Sequence, residues 1–479
     1  MTGPLWTSAE AEAATGGRAT MPFDVSGISI DSRDIAQGDL FVALSDVRDG
    51  HEFVAAAIRG GAVAALVTHR PDTVADEFPL LIVDDTLKAL ESMGQTARER
   101  ITGKVVGVTG SVGKTGVKEM LRVCLSAAGP THAAVKSFNN HWGVPLTLAR
   151  IPHGTEFAAI EMGMNHPGEI GPLSRMARPD VAIITTIAPV HMAAFKDLSG
   201  IADAKAEIFE GLVPGGTAIL NMDNAYFGQL KVKAEAAGAN IVAFGSDASA
   251  DICLEQAHIT AGATVVKARM HEAPLVFKLS APGEHLALNA LAALAATEAA
   301  GGDLARAALA ISNWNPPDGR GSRWTISIGE TGIDGSITLI DESYNANPTS
   351  VRAALAVLGA SEPADHYGRV DEGRRIAFLG DMLELGADEV ALHAGLAECP
   401  EMAKVDTVHT CGPLMKALHE ALPPAQRGTW FKTSRDMADR VGRKLDAGDV
   451  AMIKGSLGSD MAVVVDAVRR MGKAVREGT

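Results

Sequence analysis

The chain has 479 residues, enough for about three domains of roughly 150 residues each. Its net charge of −15, with 47% hydrophobic but only 4% aromatic residues, points to aliphatic, alanine-rich α/β cores and argues against nucleic acid as a partner, since phosphate backbones need a basic stripe. Four scattered cysteines without CxxC or zinc spacing, no leader with a basic start and apolar middle, and no apolar run near the ~18 residues of a membrane span together suit a cytoplasmic protein.

Residues 1 to about 22 are small and polar, with room for a short helix over Thr7 to Ala14. Short apolar runs follow at Asp39–Leu44, Ala62–Val67 and Pro79–Val83, with helical-looking sequence such as His51–Arg59 between them. Residues 1–103 therefore read as a small α/β unit.

A second unit, residues 104–315, opens on Val105-Val-Gly-Val-Thr-Gly-Ser-Val-Gly-Lys-Thr115. It reads as a buried strand, a glycine turn and a helix start. Val117, Met120, Leu121, Cys124 and Leu125 then fall on one helical face. Such a turn cradles phosphate, because backbone N–H groups and the positive end of the helix dipole converge on an anion. Thr109, Gly110, Ser111, Val112 and Gly113 would supply the cradle, Lys114 would reach the β/γ-phosphates of a nucleotide, and Thr115 would ligate Mg²⁺. Val108 stands where a glycine is expected, so the spacing is irregular. Further strands are predicted at Phe157–Glu161, Val181–Thr185, Thr217–Leu220 and Ile241–Phe244, and a helix over Leu286–Ala300, giving a mostly parallel sheet.

Asn315-Pro-Pro-Asp-Gly-Arg-Gly321 is a linker. Beyond it, residues 316–479 alternate strand and helix: Ile337–Ile340, Ser350–Leu358, Ile376–Leu379, Asp388–Ala397, Thr407–Thr410, Pro413–Ala421, Thr429–Phe431, Ser434–Leu445, Val450–Ile453, and a helix from Asp460 to the end. That is the pattern of a doubly wound, Rossmann-like domain.

Ligands of open parallel sheets bind beyond the carboxyl ends of strands. Glu161 ends its strand where a phosphate-loop enzyme needs an acid for Mg²⁺, and the polar loop Gly163–Glu169 after it has no packing purpose. His191, after the next strand, could be a second metal ligand, although a lone histidine is more often structural. By pattern alone Lys205 is a helix-surface charge. In the third unit Asp341, Asp381 and the pair Lys454 and Ser456 follow three strands, as if lining one cleft. Asn345 and Asn347 sit in an unusually polar turn, and Lys454 with Ser456 would suit a carboxylate ligand.

Taken together these stretches resemble the Mur ligases, ATP-dependent amide-forming enzymes of peptidoglycan synthesis. The resemblance rests on Thr109–Thr115, Ser137-Phe-Asn-Asn-His-Trp-Gly-Val-Pro-Leu-Thr-Leu148, Glu161–Ile170, Asp341–Pro348 and Leu379–Gly386, and it runs to the branch of the family that adds D-alanyl-D-alanine. The irregular spacing at Val108 is a trait of that family. The resemblance implies that Thr115, Glu161 and His191 hold Mg²⁺ and that Lys205, against its bland pattern, is carbamylated by CO₂ and assists. It implies that His285 and Asn289 lie on the adenine side, and that the third unit adds Asp341 and an arginine, Arg323 being favoured over Arg320, to the ATP. Asp31, Ser32, Arg33, Phe41 and Asp49–His51 resemble a uridine-nucleotide site, and Asn139, Asn140, His141, Asn345, Asn347, Asp381, Lys454 and Ser456 fall to the substrates. The implied activity is transfer of a phosphoryl group from ATP to the terminal carboxylate of UDP-N-acetylmuramoyl-tripeptide, then attack by D-alanyl-D-alanine, by a monomer. Ligases of the same fold that add a diamino acid or glutamate, and a nucleotide-driven switch without ligation, are the rival readings.

Overall fold

The computed structural model describes residues 3–190, 192–328, 335–367 and 371–477. Its strands form three large sheets, each drawn from one stretch of the chain, and a two-stranded ladder between Trp6–Thr7 and Asp24–Val25. The first sheet runs Arg18–Ala19, Leu80–Ile82, Ala64–Val67, Asp39–Val42, Gly27–Ser29, with all but its first pairing parallel. Every residue of Asp39–Val42 and Ala64–Val67 is buried, which explains why they read as unbroken apolar runs rather than alternating ones.

Helix Thr86–Arg100 fixes this unit to the next. Its Ala89, Leu90, Met93 and Ala97 share a core with Leu146 and Ala149 of helix Gly143–Ala149. The two backbones meet at Gly94, where an added Cβ would lie 3.0 Å from the Pro145 carbonyl. Trp6 closes the seam, its indole N–H donating to the Ala149 carbonyl at 2.8 Å beneath the Arg100 guanidinium.

The central sheet has nine strands in the order Ala273–Leu279, Thr264–Met270, Ile252–Ile259, Asn240–Gly245, Thr217–Asn221, Val181–Ile184, Lys104–Thr109, Phe157–Glu161, Thr131–Ala133. The last seven of these run parallel, and the first two add an antiparallel extension. From Lys104–Thr109 the chain goes to the far edge, returns to Phe157–Glu161, then crosses to Val181–Ile184. The phosphate-loop strand is thus the switch point at which a crevice opens. Helices Lys114–Ser126 and Glu284–Ala299 pack together under one face, where Val117, Met120, Leu121, Cys124 and Leu125 are fully buried.

The third sheet runs Arg427–Phe431, Thr407–Cys411, Arg375–Gly380, Val450–Lys454, Ser336–Glu342, Ser322–Ser327, Lys473–Arg476. Its first four pairings are parallel and its last two antiparallel. The ends of Ser336–Glu342, Val450–Lys454 and Arg375–Gly380 are therefore neighbours, as the strand-end reading expects. The expected final helix is shorter, Ala462–Arg469, because Lys473–Arg476 pairs back onto Ser322–Ser327. Among the described residues no helix is long and apolar enough to cross a membrane.

Packing of this third sheet sets a pH limit on stability. His409 is 4% exposed, stacked on Phe378, and its Nδ1 accepts the Thr429 N–H at 2.8 Å. Burial, first, and nearby cations push its pKa from 6.5 down to about 4. Between those values the unfolded chain binds a proton that the folded chain refuses. The contribution of neutral His409, roughly 3 kcal/mol, is complete above pH 6.5 and is lost as pH falls toward 4. Urea unfolding across that range should show stability falling with pH, and His409→Gln should flatten the fall; an unchanged slope in the variant would refute the assignment.

Candidate active site

The phosphate loop is held open from behind by the crossover after Val181–Ile184. Gly110 has φ +145°, and a Cβ there would lie 1.9 Å from Thr185 Oγ1. Ser111 N–H donates to the Thr186 carbonyl at 2.8 Å, Ser111 Oγ bonds both the carbonyl and N–H of Ala188 at 3.0 Å, and Thr185 Oγ1 donates to the Val112 carbonyl. Gly113, at φ +93°, caps helix Lys114–Ser126 against Asn289, whose Oδ1 would be 2.9 Å from a Cβ at that position. The loop's anion-facing side is thus left free, and Lys114 Nζ donates to the Gly110 carbonyl at 2.7 Å. Burial lowers the Lys114 pKa; Glu161 opposes that shift and Arg320 adds to it.

Beside the loop, Glu161 is 2% exposed at its strand end. Its Oε1 accepts from Asn139 Nδ2 at 2.7 Å and from Thr115 Oγ1 at 3.1 Å, while Oε2 is buried without a partner. An ionised carboxylate with one oxygen orphaned out of water is costly unless a cation fills the gap. With the Thr115 hydroxyl alongside, the donor set is hard oxygen, which fits Mg²⁺.

Lys205 ends helix Leu198–Ala206 and is 2% exposed, not a surface charge. Desolvation, then repulsion from Lys114, drive its pKa well below the ordinary value against the pull of Glu207. His191 lies outside the described residues.

The third unit closes the other side of a cleft of about 290 Å³. Of the expected residues, Ser111, Val112, Gly113, Lys114, Thr115, Asn139, Glu161, His285, Asn289, Asn345, Asn347 and Lys454 line it, joined by Ser137, Arg320, Glu342 and Tyr344. Lys454, 2% exposed, pairs with Glu342 at 3.1 Å and donates to the Asn345 carbonyl at 3.0 Å. Asn347 caps helix Pro348–Gly359 in a capping box with Ser350. Burial keeps His285 below its ordinary pKa and so neutral.

Several expected residues sit elsewhere. The arginine in the cleft is Arg320, its guanidinium 4.1 Å over the Tyr344 ring; Arg323 lies in strand Ser322–Ser327 and is tied to Glu477 at 3.1 Å. Asp341 turns inward, accepting from Gly319 N–H at 3.1 Å and from Ser343 Oγ at 2.7 Å, so it braces the turn that carries Arg320 while Glu342 faces the cleft. Burial raises the pKa of Asp341. Asp381 accepts Met415 N–H at 2.7 Å, and Ser456 Oγ accepts Leu383 N–H at 2.9 Å, so these two stitch strand ends together. Asn140 caps Gly143 N–H at 2.9 Å, and His141 packs edge-on to Trp142; neither lines the cleft. Thr109 is fully buried with its hydroxyl unpartnered.

Ser32, Arg33 and Phe41 line a separate cavity of about 810 Å³, with Phe53, Phe138 and Trp142 as further aromatic walls and Arg48 and Lys136 as further cations. Aromatic faces beside cations are what a nucleotide base with phosphates requires. Asp31 is held near pKa 2 by the Arg33 guanidinium that pairs with it at 2.7 Å. His51 accepts Thr68 N–H on one ring nitrogen and bonds Asp49 on the other, which braces the wall rather than facing the cavity.

Residues 108–297 match the Mur ligase middle domain family and residues 327–457 the Mur ligase glutamate ligase domain family. The UDP-N-acetylmuramoyl-tripeptide–D-alanyl-D-alanine ligase of Escherichia coli (strain K12) is 33% identical over 452 residues, 94% of each chain. A crystal structure of MurF from Acinetobacter baumannii superposes with a TM-score of 0.79 at 28% identity, covering 97% of this chain and 99% of that one. The MurF ligase of Thermotoga maritima in complex with ADP shares the fold, with a TM-score of 0.73 at 23% identity over 93% of this chain and 97% of that one.

The tight approach behind the loop gives a direct test. Gly110→Ala must move either the loop or Thr185, at a strain of about 1–3 kcal/mol. Calorimetric titration should find ATP bound about tenfold or more weakly, with circular dichroism unchanged; wild-type affinity would show that the loop does not hold the phosphates.

Proposed function

The chain belongs to the Mur ligase family, and from that premise we propose how its site works as an ATP-dependent ligase that adds D-alanyl-D-alanine to the terminal carboxylate of UDP-N-acetylmuramoyl-tripeptide in peptidoglycan synthesis. One observation carries the reading of the chemistry: the phosphate loop, the half-satisfied carboxylate of Glu161, and the Arg320 and Lys454 cations of the third unit face one cleft.

The substrate carboxylate is a poor acyl donor because its leaving group would be oxide. Attack of its oxygen on the γ-phosphorus of ATP releases ADP and forms an acyl phosphate. The D-alanyl-D-alanine amine then attacks the acyl carbon, loses a proton, and inorganic phosphate departs with its bonding electrons. The protein's share is positioning and charge neutralisation. Lys114 exchanges the Gly110 carbonyl for the phosphates, with the loop N–H groups beside it. Arg320, presented across the cleft on the braced 319–321 turn, neutralises the transferring group. His285 and Asn289, on the helix flanking the loop, are suited to the adenine side. Thr115 and Glu161 would hold Mg²⁺, with His191 as a further ligand, and the ion when bound offsets charge on the phosphates.

Lys205 fits carbamylation on physical grounds. A buried amine beside another ammonium is driven toward its neutral, nucleophilic form. Addition to CO₂ with loss of a proton makes a carboxylate, which turns repulsion from Lys114 into attraction. Lys454, released from Glu342, suits a carboxylate of the incoming dipeptide, and the aromatic and cationic walls of the 810 Å³ cavity suit the UDP moiety. Dependence on ATP suits the cytoplasm, as do four free cysteines.

With all three substrates the protein should release ADP and inorganic phosphate only when D-alanyl-D-alanine is present. AMP and pyrophosphate would sink the acyl-phosphate route, and equal turnover with glutamate or a diamino acid would sink the acceptor.

Lys205→Ala should bind ATP with unchanged affinity yet lose turnover by two orders of magnitude or more, recovering in part with short carboxylic acids. Wild-type protein in ¹³C-bicarbonate should show a carbamate resonance that the variant lacks. Full activity in the variant, or no such resonance, would end the carbamate assignment.

A further inference from the structure

Ser137 belongs to none of the roles assigned above, yet it sits where all three units meet. The segment after strand Thr131–Ala133 threads between the two cavities: Lys136 and Phe138 line the larger one, Ser137 and Asn139 the phosphate cleft. It is pinned along its length. The fully buried Lys118 donates to the Ala134 carbonyl, Lys136 pairs with Asp34 of the first unit at 2.5 Å, and the Asn139 carbonyl accepts Gly163 N–H at 2.7 Å.

Proton counting fixes the direction of the bonds at Ser137. Arg320 Nη2 donates to Ser137 Oγ at 3.2 Å, and Ser137 Oγ is 3.2 Å from Thr115 Oγ1, whose only proton goes to Glu161 Oε1. A threonine hydroxyl has one proton, so Ser137 must give its own to Thr115. The result is one chain of donors, Arg320 to Ser137 to Thr115 to Glu161. It starts on a guanidinium and ends on a carboxylate, so each bond polarises the next.

We propose that Ser137 is a positioning residue for phosphoryl transfer: its hydroxyl holds Arg320 of the third unit against Thr115 and Glu161, and so sets the arginine's place at the phosphates. The role rests on the ligase reading above. It differs from a packing role because Ser137 joins Arg320 to Thr115, so removing it should affect turnover most when Arg320 is present and little when it is not.

The test is a double-mutant cycle on the full chain, read by phosphate release with all three substrates. Ser137→Ala is expected to lower kcat about tenfold, the loss typical of a hydrogen bond to a charged group, with KM for the nucleotide tripeptide within about twofold. In an Arg320→Ala background the same change should cost less than about twofold. Ser137→Thr, which keeps the hydroxyl, should restore most of the turnover. An unchanged kcat in Ser137→Ala, or an undiminished tenfold cost without Arg320, would overturn the proposal. Should Ser137→Ala fail to fold by thermal melting, Ser137→Cys keeps the shape with a weaker donor and acceptor, and the same cycle decides on it. Wild-type protein that releases no phosphate in response to D-alanyl-D-alanine would instead refute the ligase reading itself.

Discussion

Glu161 sets the terms for the rest of the site. A carboxylate this deeply buried is tolerated only if its charge is met, and the protein meets half of it. Asn139 and Thr115 saturate Oε1, while Oε2 is left with nothing. Leaving a buried charged acceptor unsatisfied costs on the order of 1–3 kcal/mol or more, so the fold carries a deficit at the point where a cation would remove it. The neighbouring arrangement follows: a threonine on the first turn of the phosphate-loop helix, an asparagine from the segment that runs to the first unit, and a lysine nearby that burial has made reluctant to stay charged.

Holding that deficit in place requires a stiff surround, and the stiffness comes from close backbone contacts. Gly110 lies against Thr185, Gly113 against Asn289, and Gly94 against Pro145. A single methyl group would force a shift at Gly110 and crowd its neighbour at Gly113 and Gly94. Together these contacts fix the loop, the helix beneath it and the seam to the first unit. The third unit is held to this frame more lightly. The bonds across the cleft include one from Arg320 to Ser137, and its own strand ends are braced internally by Asp341, Asp381 and Ser456. A rigid platform facing a lightly tethered cover suits a site that must admit three substrates and then exclude water from a reactive acyl phosphate.

Most of this was legible in the sequence, and the misses share a cause. The phosphate loop, its helix face and most strands of both parallel cores follow from periodicity and from the rule about strand ends. The antiparallel extension was not read, although Thr264–Met270 alternates buried Val266, Ala268 and Met270 with exposed Val265 and Lys267; its signal is a period of two, weaker than the apolar runs around it. Lys205 read as a surface charge because periodicity cannot report which face of a short helix is covered by a distant part of the chain. In sequence the apolar residue and strand that follow Arg323 favour it over Arg320, but the turn places the Arg320 side chain in the cleft while the strand turns that of Arg323 toward Glu477. Asp341, Asp381 and Ser456 are polar residues at strand ends, as functional ones are, yet they are consumed by the backbone N–H groups of the turns they hold. Sequence marks where polarity is needed and leaves open whether the partner is a ligand or the chain itself.

The charge balance poses a last question, since a protein of net charge −15 must attract ATP and a nucleotide-linked peptide that are both anionic. Its cations in the larger cavity are already occupied: Arg33 by Asp31, Arg48 by Glu52, Lys136 by Asp34. These pairs are exposed, and water and salt screen an exposed pair until it contributes little. Exchanging a carboxylate for a phosphate therefore costs little, and the phosphate brings more acceptor oxygens and more charge. The same logic applies at the loop, where Lys114 gives up a neutral carbonyl rather than an ion. The pairs yield to a ligand that is a better anion than the side chains it displaces.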